Sequence, residues 1–168
     1  GELNKLFYSS GSNVPDLVRD LIEEDLNKKI LTIALFFHDI AKGRDEDHSE
    51  VGALIVEKFS DRFQLTDYEV ETISWLVREH LVMSDFSQTR DIMDQKTIKD
   101  FSVIVQTPDR LKLLFILTIA DITAVGPDVW NAYKGQLLDQ LYKETYAYIA
   151  GDVLGNDRSA RVDSKIEN

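Results

Sequence analysis

Residues 28–63 read KKILTIALFFHDIAKGRDEDHSEVGALIVEKFSDRF, and this stretch decides the fold. Its first part is apolar nearly all round (Ile30, Leu31, Ile33, Ala34, Leu35, Phe36, Phe37, Ile40), which predicts a helix over about 28 to 42 that is central and buried. Gly43 to Asp47 is a polar break that stops it. A further helix is predicted from about Ser49 to Phe63, with Val51, Leu54, Ile55 and Phe59 inward. The polar pair His38-Asp39 stands inside the most apolar segment, where an unpaired carboxylate is costly unless it meets a cation or several donors.

The same periodicity runs outward in both directions. Upstream, Val14, Leu17, Val18, Leu21 and Ile22 form one stripe at helical spacing. Downstream, Thr66-Asp67-Tyr68-Glu69 reads as a capping box opening a helix that carries Ile73, Leu76, Val77 and His80. A short helix is expected between Asp94 and Val105, a long one from Pro108 to about Val125, and another from Pro127 to about Ile149. Pro15, Pro108 and Pro127 all fit first-turn positions. After Gly151 the pattern dissolves into Asp, Asn, Ser and Arg, which predicts a frayed tail. No period-2 run suggests a strand. The expectation is a single all-α domain of about seven helices, with residues 1–12 as an N-terminal remnant, 13–150 as the helical domain and 151–168 as a flexible C-terminal tail.

The chain has 168 residues, 43% hydrophobic and 29% charged, enough for one domain with a substantial core. No apolar run approaches the roughly 20 residues of a membrane helix, and because Gly1 to Asn4 shows no basic region followed by an apolar stretch, no signal peptide is expected. Gly1 stands where an initiator methionine would, so an excised piece of a longer protein is expected. The absence of cysteine removes disulfides and thiolate ligands, so any metal must sit on His, Asp or Glu, and a cytoplasmic setting is expected. A net charge of −11 argues against a nucleic-acid surface, although a bound cation can reverse the field locally for a phosphate ester.

Asp121 gives His38-Asp39 its meaning. It is embedded in Leu113 to Ala120, followed by Ile122, so a second carboxylate lies within a second apolar helix. Two such carboxylates need a shared partner, and a divalent metal bound by imidazole and carboxylate supplies it; a kink, or a bond to a helix terminus, is the alternative for Asp121. The other two histidines, His48 and His80, read singly as surface or core residues and, with His38, Asp39 and Asp121, as a further ligand cluster. Lys42, four residues after His38, is either a solvated lysine at a helix C-terminus or a group that offsets phosphoryl charge. Arg44, Arg90 and Arg110 are weaker candidates for phosphate contacts.

The order His-Asp, His, His, Asp resembles the HD superfamily of metal-dependent phosphohydrolases. More narrowly, HDIAKGRDEDHSEVGA (38–53), WLVREHLVMS (75–84) and LTIADITAVGPDVWNAYKGQLLDQLY (117–142) are similar to the HD domain of bacterial bifunctional uridylyltransferase/uridylyl-removing enzymes, which regulate nitrogen signalling through PII proteins. The resemblance implies that His38, Asp39 and Asp121 are metal ligands, with Asp39 able to bridge two ions, and that His48 and His80 hold a second one. Lys42 matches the family's lysine after the His-Asp pair. Trp130, Asn131 and Lys134 fall in a segment typical of the subfamily, with no role assigned.

The implied reaction is hydrolysis of uridylyl-tyrosine on PII, releasing UMP, with Mn²⁺, Mg²⁺, Fe²⁺ or Zn²⁺ as cofactor and no membrane or nucleic-acid partner. One departure stands out: the family opens with another histidine well before the His-Asp pair, and residues 1–37 contain none. Weak metal binding and little turnover are therefore expected of this chain. Two other readings compete: an HD hydrolase of free nucleotides, and a metal-poor helical module that transmits regulation. Ala41-Lys42, standing where an acidic pair would follow, argues against an alarmone hydrolase.

Overall fold

The computed structural model describes residues 28–40, 48–125 and 131–166. Among them the chain forms seven helices and no strand: α1 Lys28–Phe37, α2 His48–Phe59, α3 Asp67–Glu79, α4 Val82–Thr89, α5 Gln95–Val105, α6 Pro108–Val125 and α7 Ala132–Ile166. The stripe at 14–22 lies outside the described residues. The all-helical class stands as the periodicity predicts.

Local signals set most of the helix starts. Thr66 accepts the Glu69 N–H at 3.2 Å while the Glu69 carboxylate accepts the Thr66 N–H at 2.9 Å, so the capping box forms as expected. Asp94 caps α5 by accepting the Lys96 N–H. Thr107 caps α6 by accepting the Arg110 N–H, with Pro108 in the first turn, where its missing N–H costs nothing. Asn131 accepts the Lys134 N–H at 2.8 Å and caps α7, which gives this residue a structural role. The last helix thus starts at Ala132, not at Pro127.

The central helix is α6, a correction to the expectation that the helix beginning at Lys28 occupies that place. From Leu113 through Ala120 every residue is at most 1% exposed. α6 packs against α1, α3, α4, α5 and α7, and the Thr118 hydroxyl is satisfied by donating to the Leu114 carbonyl at 2.7 Å. α1 covers the bundle with one side only. Its buried residues are Ile30, Leu31, Ile33, Ala34 and Phe37, whereas Phe36 is 67% exposed. Both segments are apolar, but α6 is the longer and spans the bundle, so its apolar perimeter is the one that is fully covered.

Several elements differ from the periodicity: α2 ends at Phe59, not Phe63, and Leu54 and Phe59, expected inward, are 53% and 37% exposed, its buried side being Ala53 and Val56. α1 ends at Phe37, with His38, Asp39 and Ile40 in a following turn, so the helical spacing that put Lys42 on the face of His38 does not hold through residue 40. α4 is a helix that the sequence reading leaves out. It is only two turns long, follows α3 directly, and starts at Leu81 with no side-chain cap to mark it. α7 continues through Gly151 to Ile166, where a break near Ile149 was expected. A single interior glycine costs a helix about 1 kcal/mol, which flanking helix formers can offset.

A Cβ built on Gly151 meets nothing within 4 Å. Gly151→Ala is therefore expected to stabilise the protein by about 0.5–1 kcal/mol through reduced unfolded-state entropy. Thermal denaturation would show a small rise in Tm, and an unchanged or lower Tm would mean that position 151 is not helical in solution.

Candidate metal centre

α1 delivers His38 to the bundle at its C-terminal end, where the last carbonyls of a helix have no intrahelical partner. The His38 N–H still bonds the Ala34 carbonyl at 2.9 Å, and the ring turns back so that Nδ1 lies 2.7 Å from the Leu35 carbonyl. A carbonyl only accepts, so Nδ1 carries the hydrogen and Nε2 points away from the helix. Nε2 lies 3.0 Å from Asp121 Oδ1, brought across by α6, and 3.3 Å from Asp39 Oδ2.

An unprotonated Nε2 would turn its lone pair toward two carboxylates. That arrangement is repulsive unless a proton or a metal ion lies between them. In the metal-free protein the two carboxylates favour a proton in that position. Burial pulls the His38 pKa down, but the hydrogen bonds to Asp121 and Leu35 and the charges of Asp121 and Asp39 outweigh it. The net shift is upward from 6.5.

His38, Asp39 and Asp121 each offer one ligand atom, all within 4.8 Å of one another, and they are the one such group of three among the described residues. Bonds of about 2.1 Å to one ion span donors up to about 4.2 Å apart, so modest side-chain adjustment closes the set. One nitrogen and two carboxylate oxygens suit Mn²⁺, Fe²⁺, Zn²⁺ or Mg²⁺. The residues present therefore fit a divalent ion, and the negative end of the α1 dipole reinforces the preference for a cation.

His80 repeats the same construction. It caps the C-terminus of α3, its Nδ1 lies 2.7 Å from the Val77 carbonyl, and its ring meets that of His38 edge-to-face at 5.4 Å between centroids. It is 1% exposed. His80 thus adjoins the centre but is not one of the three donors close enough to share a single ion. His48 is the first residue of α2, and its side chain lies outside the described residues. The Arg78–Glu50 pair, at 2.9 Å, brings the start of α2 beside the end of α3 that carries His80. Burial raises the neighbouring Glu79 carboxyl, with Arg78 opposing and Glu50 reinforcing the shift.

Lys42 and Arg44 lie outside the described residues. Arg90 and Arg110 are engaged elsewhere. The Arg90 guanidinium sits 4.4 Å from the centre of the Phe86 ring and bonds Asp100, while Arg110 stacks over Trp75 at 5.0 Å and bonds Glu71 at 2.8 Å. Sequence reasoning misses the Leu35 and Val77 carbonyls that set both histidine tautomers. Each lies three residues before its histidine, a spacing that signals the contact only once the helix is known to end there.

A divalent ion taken by Nε2 would compete with the proton there, which sets an expected pH dependence. The imidazolium–carboxylate contacts stabilise the metal-free fold fully below the unfolded-state value of about 6.5, and that contribution is lost as pH rises through the raised folded-state value. Divalent-ion affinity moves the opposite way and increases across the same window. Mn²⁺ titrations at pH 6 and pH 8 are expected to show the weaker binding at pH 6; equal affinities would contradict the Nε2 assignment.

A helical bundle in which the turn after α1 brings one imidazole and one carboxylate against a second carboxylate on α6 has the donor set to hold a divalent ion. The HD domain family matches residues 13–125, and the chain belongs to that family. HD domains are generally metal-dependent phosphohydrolases. His38, Asp39, His48, His80 and Asp121 all fall within the match. Among the described residues no helix is long and apolar enough to cross a membrane.

Proposed function

We propose that this chain is a cytoplasmic metal-dependent phosphodiesterase domain that removes the uridylyl group from a tyrosine of a PII signalling protein. The observation that carries the chemistry is the meeting of His38 Nε2 with the Asp39 and Asp121 carboxylates. The substrate class is supported by the three segments 38–53, 75–84 and 117–142 in their order. In the reaction, water forms a bond to phosphorus, the bond from phosphorus to the tyrosyl oxygen breaks, and the phenol regains a proton as UMP leaves.

When bound, a divalent ion polarises the phosphoryl group and acidifies water. The residues of the chain do the rest. His38, Asp39 and Asp121 hold the ion, with Nδ1 of His38 anchored on Leu35 so that Nε2 keeps its orientation. Asp39 is the least buried of the three, its side chain 39% exposed, and is the carboxylate best placed to face substrate or bridge to a second ion. His80 and His48 are assigned to that second ion, and Lys42 to charge on the phosphoryl oxygens. The net charge of −11 would repel a nucleotide ester, and the cation reverses the field where the ester must sit.

The test is UMP release from uridylylated PII at millimolar Mn²⁺ or Mg²⁺, beside Asp39→Ala. Metal-saturable release that disappears in the variant is the expected result. Hydrolysis of free nucleotides without action on PII would move the assignment to a nucleotide hydrolase. Metal bound at His38 with neither substrate cleaved would favour a regulatory module.

A further inference from the structure

We propose that Gly52 is a positioning residue for the metal centre, because its bare α-carbon lets α2 close at once on the peptide that leads into His38 and on the residue that anchors His80. A Cβ at position 52 would lie 2.8 Å from Val77 Cγ1 and 3.2 Å from the Phe37 carbonyl oxygen. Phe37 is peptide-bonded to His38. Val77 packs against Gly52 through its side chain, and its carbonyl oxygen receives His80 Nδ1 at 2.7 Å. One missing methyl group therefore fits α2 against both histidine-bearing helix ends, whose rings meet at 5.4 Å.

The size of the conflict decides that this is more than ordinary packing. Carbon atoms pack best at about 3.5–4.0 Å, so a contact of 2.8 Å must be relieved by a shift approaching 1 Å. The neighbouring α2 residues Ala53 and Val56 are 0% and 1% exposed, so α2 cannot relieve it by rotating without unseating them. Functional constellations tolerate errors of only about 0.5 Å. Glycine inside a helix is also unfavourable relative to alanine, and the close approach is the compensation visible at this position.

The inference rests on the metal-centre reading, but its first readout does not need metal. The nuclear Overhauser contact between the His38 and His80 rings reports their arrangement in the metal-free chain, and Mn²⁺ titration reports its consequence. Gly52→Ala is expected to weaken the ring contact and to lower Mn²⁺ affinity by about tenfold or more, as loss of outer-shell support does. Adding Val77→Ala makes room for the new methyl and is expected to restore both. Phe101→Leu, a buried change on α5, is expected to lower Tm while leaving both readouts at wild-type values.

Retention of the ring contact and of affinity in Gly52→Ala overturns the proposal, as does loss of both in Phe101→Leu. If Gly52→Ala does not fold, the double variant decides. Folding with both readouts intact supports the proposal, while failure to fold, or folding without them, overturns it. A wild-type chain that binds no Mn²⁺ refutes the metal reading, and the ring contact alone then judges Gly52.

Discussion

Asp121→Asn is expected to lower divalent-metal affinity by at least about a hundredfold while leaving the fold intact. Loss of an outer-shell partner alone costs about 10- to 100-fold, and this change removes a charged ligand oxygen from a set of three. The amide is nearly isosteric, so α6 keeps its packing. The same variant changes the proton chemistry in the metal-free state. His38 loses both its strongest raising hydrogen bond and the carboxylate charge behind it, and burial, the largest single influence, is then opposed only by the Leu35 hydrogen bond and the Asp39 charge. The His38 pKa is expected to fall from above 6.5 in the wild type to a lower value in the variant. Titration of the His38 ring signals reads the shift, and calorimetry with Mn²⁺ reads the affinity. Wild-type affinity in Asp121→Asn would show that the carboxylate on α6 is not a ligand.

Phe115→Ala is expected to cost about 3–5 kcal/mol of stability, a large share of the roughly 5–15 kcal/mol of a typical domain. Phe115 is 0% exposed at the middle of α6 and stacks on Tyr142 of α7 at 4.7 Å between centroids. Its loss opens a cavity that helices on several sides cannot collapse to fill. Phe36→Ala on α1 is the comparison, because Phe36 is 67% exposed and its removal is expected to change stability by about 0.5 kcal/mol or less. Urea denaturation of the two variants tests which apolar helix forms the spine of the bundle. Similar losses from both would return α1 to the central position that its composition suggests.

That contrast also marks how far the residues speak for themselves. Apolar composition identifies α1 and α6 as helices but does not rank them, because burial depends on how many neighbours surround each one. The capping box at Thr66 and Glu69 is readable because both partners lie within one turn. α4 is not, since Leu81 offers no capping side chain and the helix is too short to establish a period. At the site, Asp121 announces itself as a carboxylate among leucines and isoleucines, and its partner His38 announces itself in the same way. What stays hidden is tertiary. No spacing reveals that Nε2 of His38 meets Asp121 across 83 residues, that His80 rests edge-on against His38, or that Gly52 is where α2 closes on both.

The end of α1 at Phe37 matters to this chemistry. Continuing the helix through residue 42 would have kept its carbonyls occupied; ending it frees the Leu35 carbonyl to fix the His38 tautomer and turns Asp39 toward the same point as Asp121. The centre is therefore a product of a helix terminus meeting the core helix, with each contributing what the other lacks.

Whether His38, Asp39 and Asp121 form one divalent-metal centre is decided by a Mn²⁺ titration of the metal-free chain followed by histidine-ring NMR. His38 signals are expected to broaden first and saturably as the first ion binds, His80 signals to follow because that ring lies 5.4 Å away, and Asp121→Asn to abolish both effects at the same Mn²⁺ concentration. Broadening confined to surface carboxylates, with His38 unaffected up to millimolar Mn²⁺, would contradict such a centre.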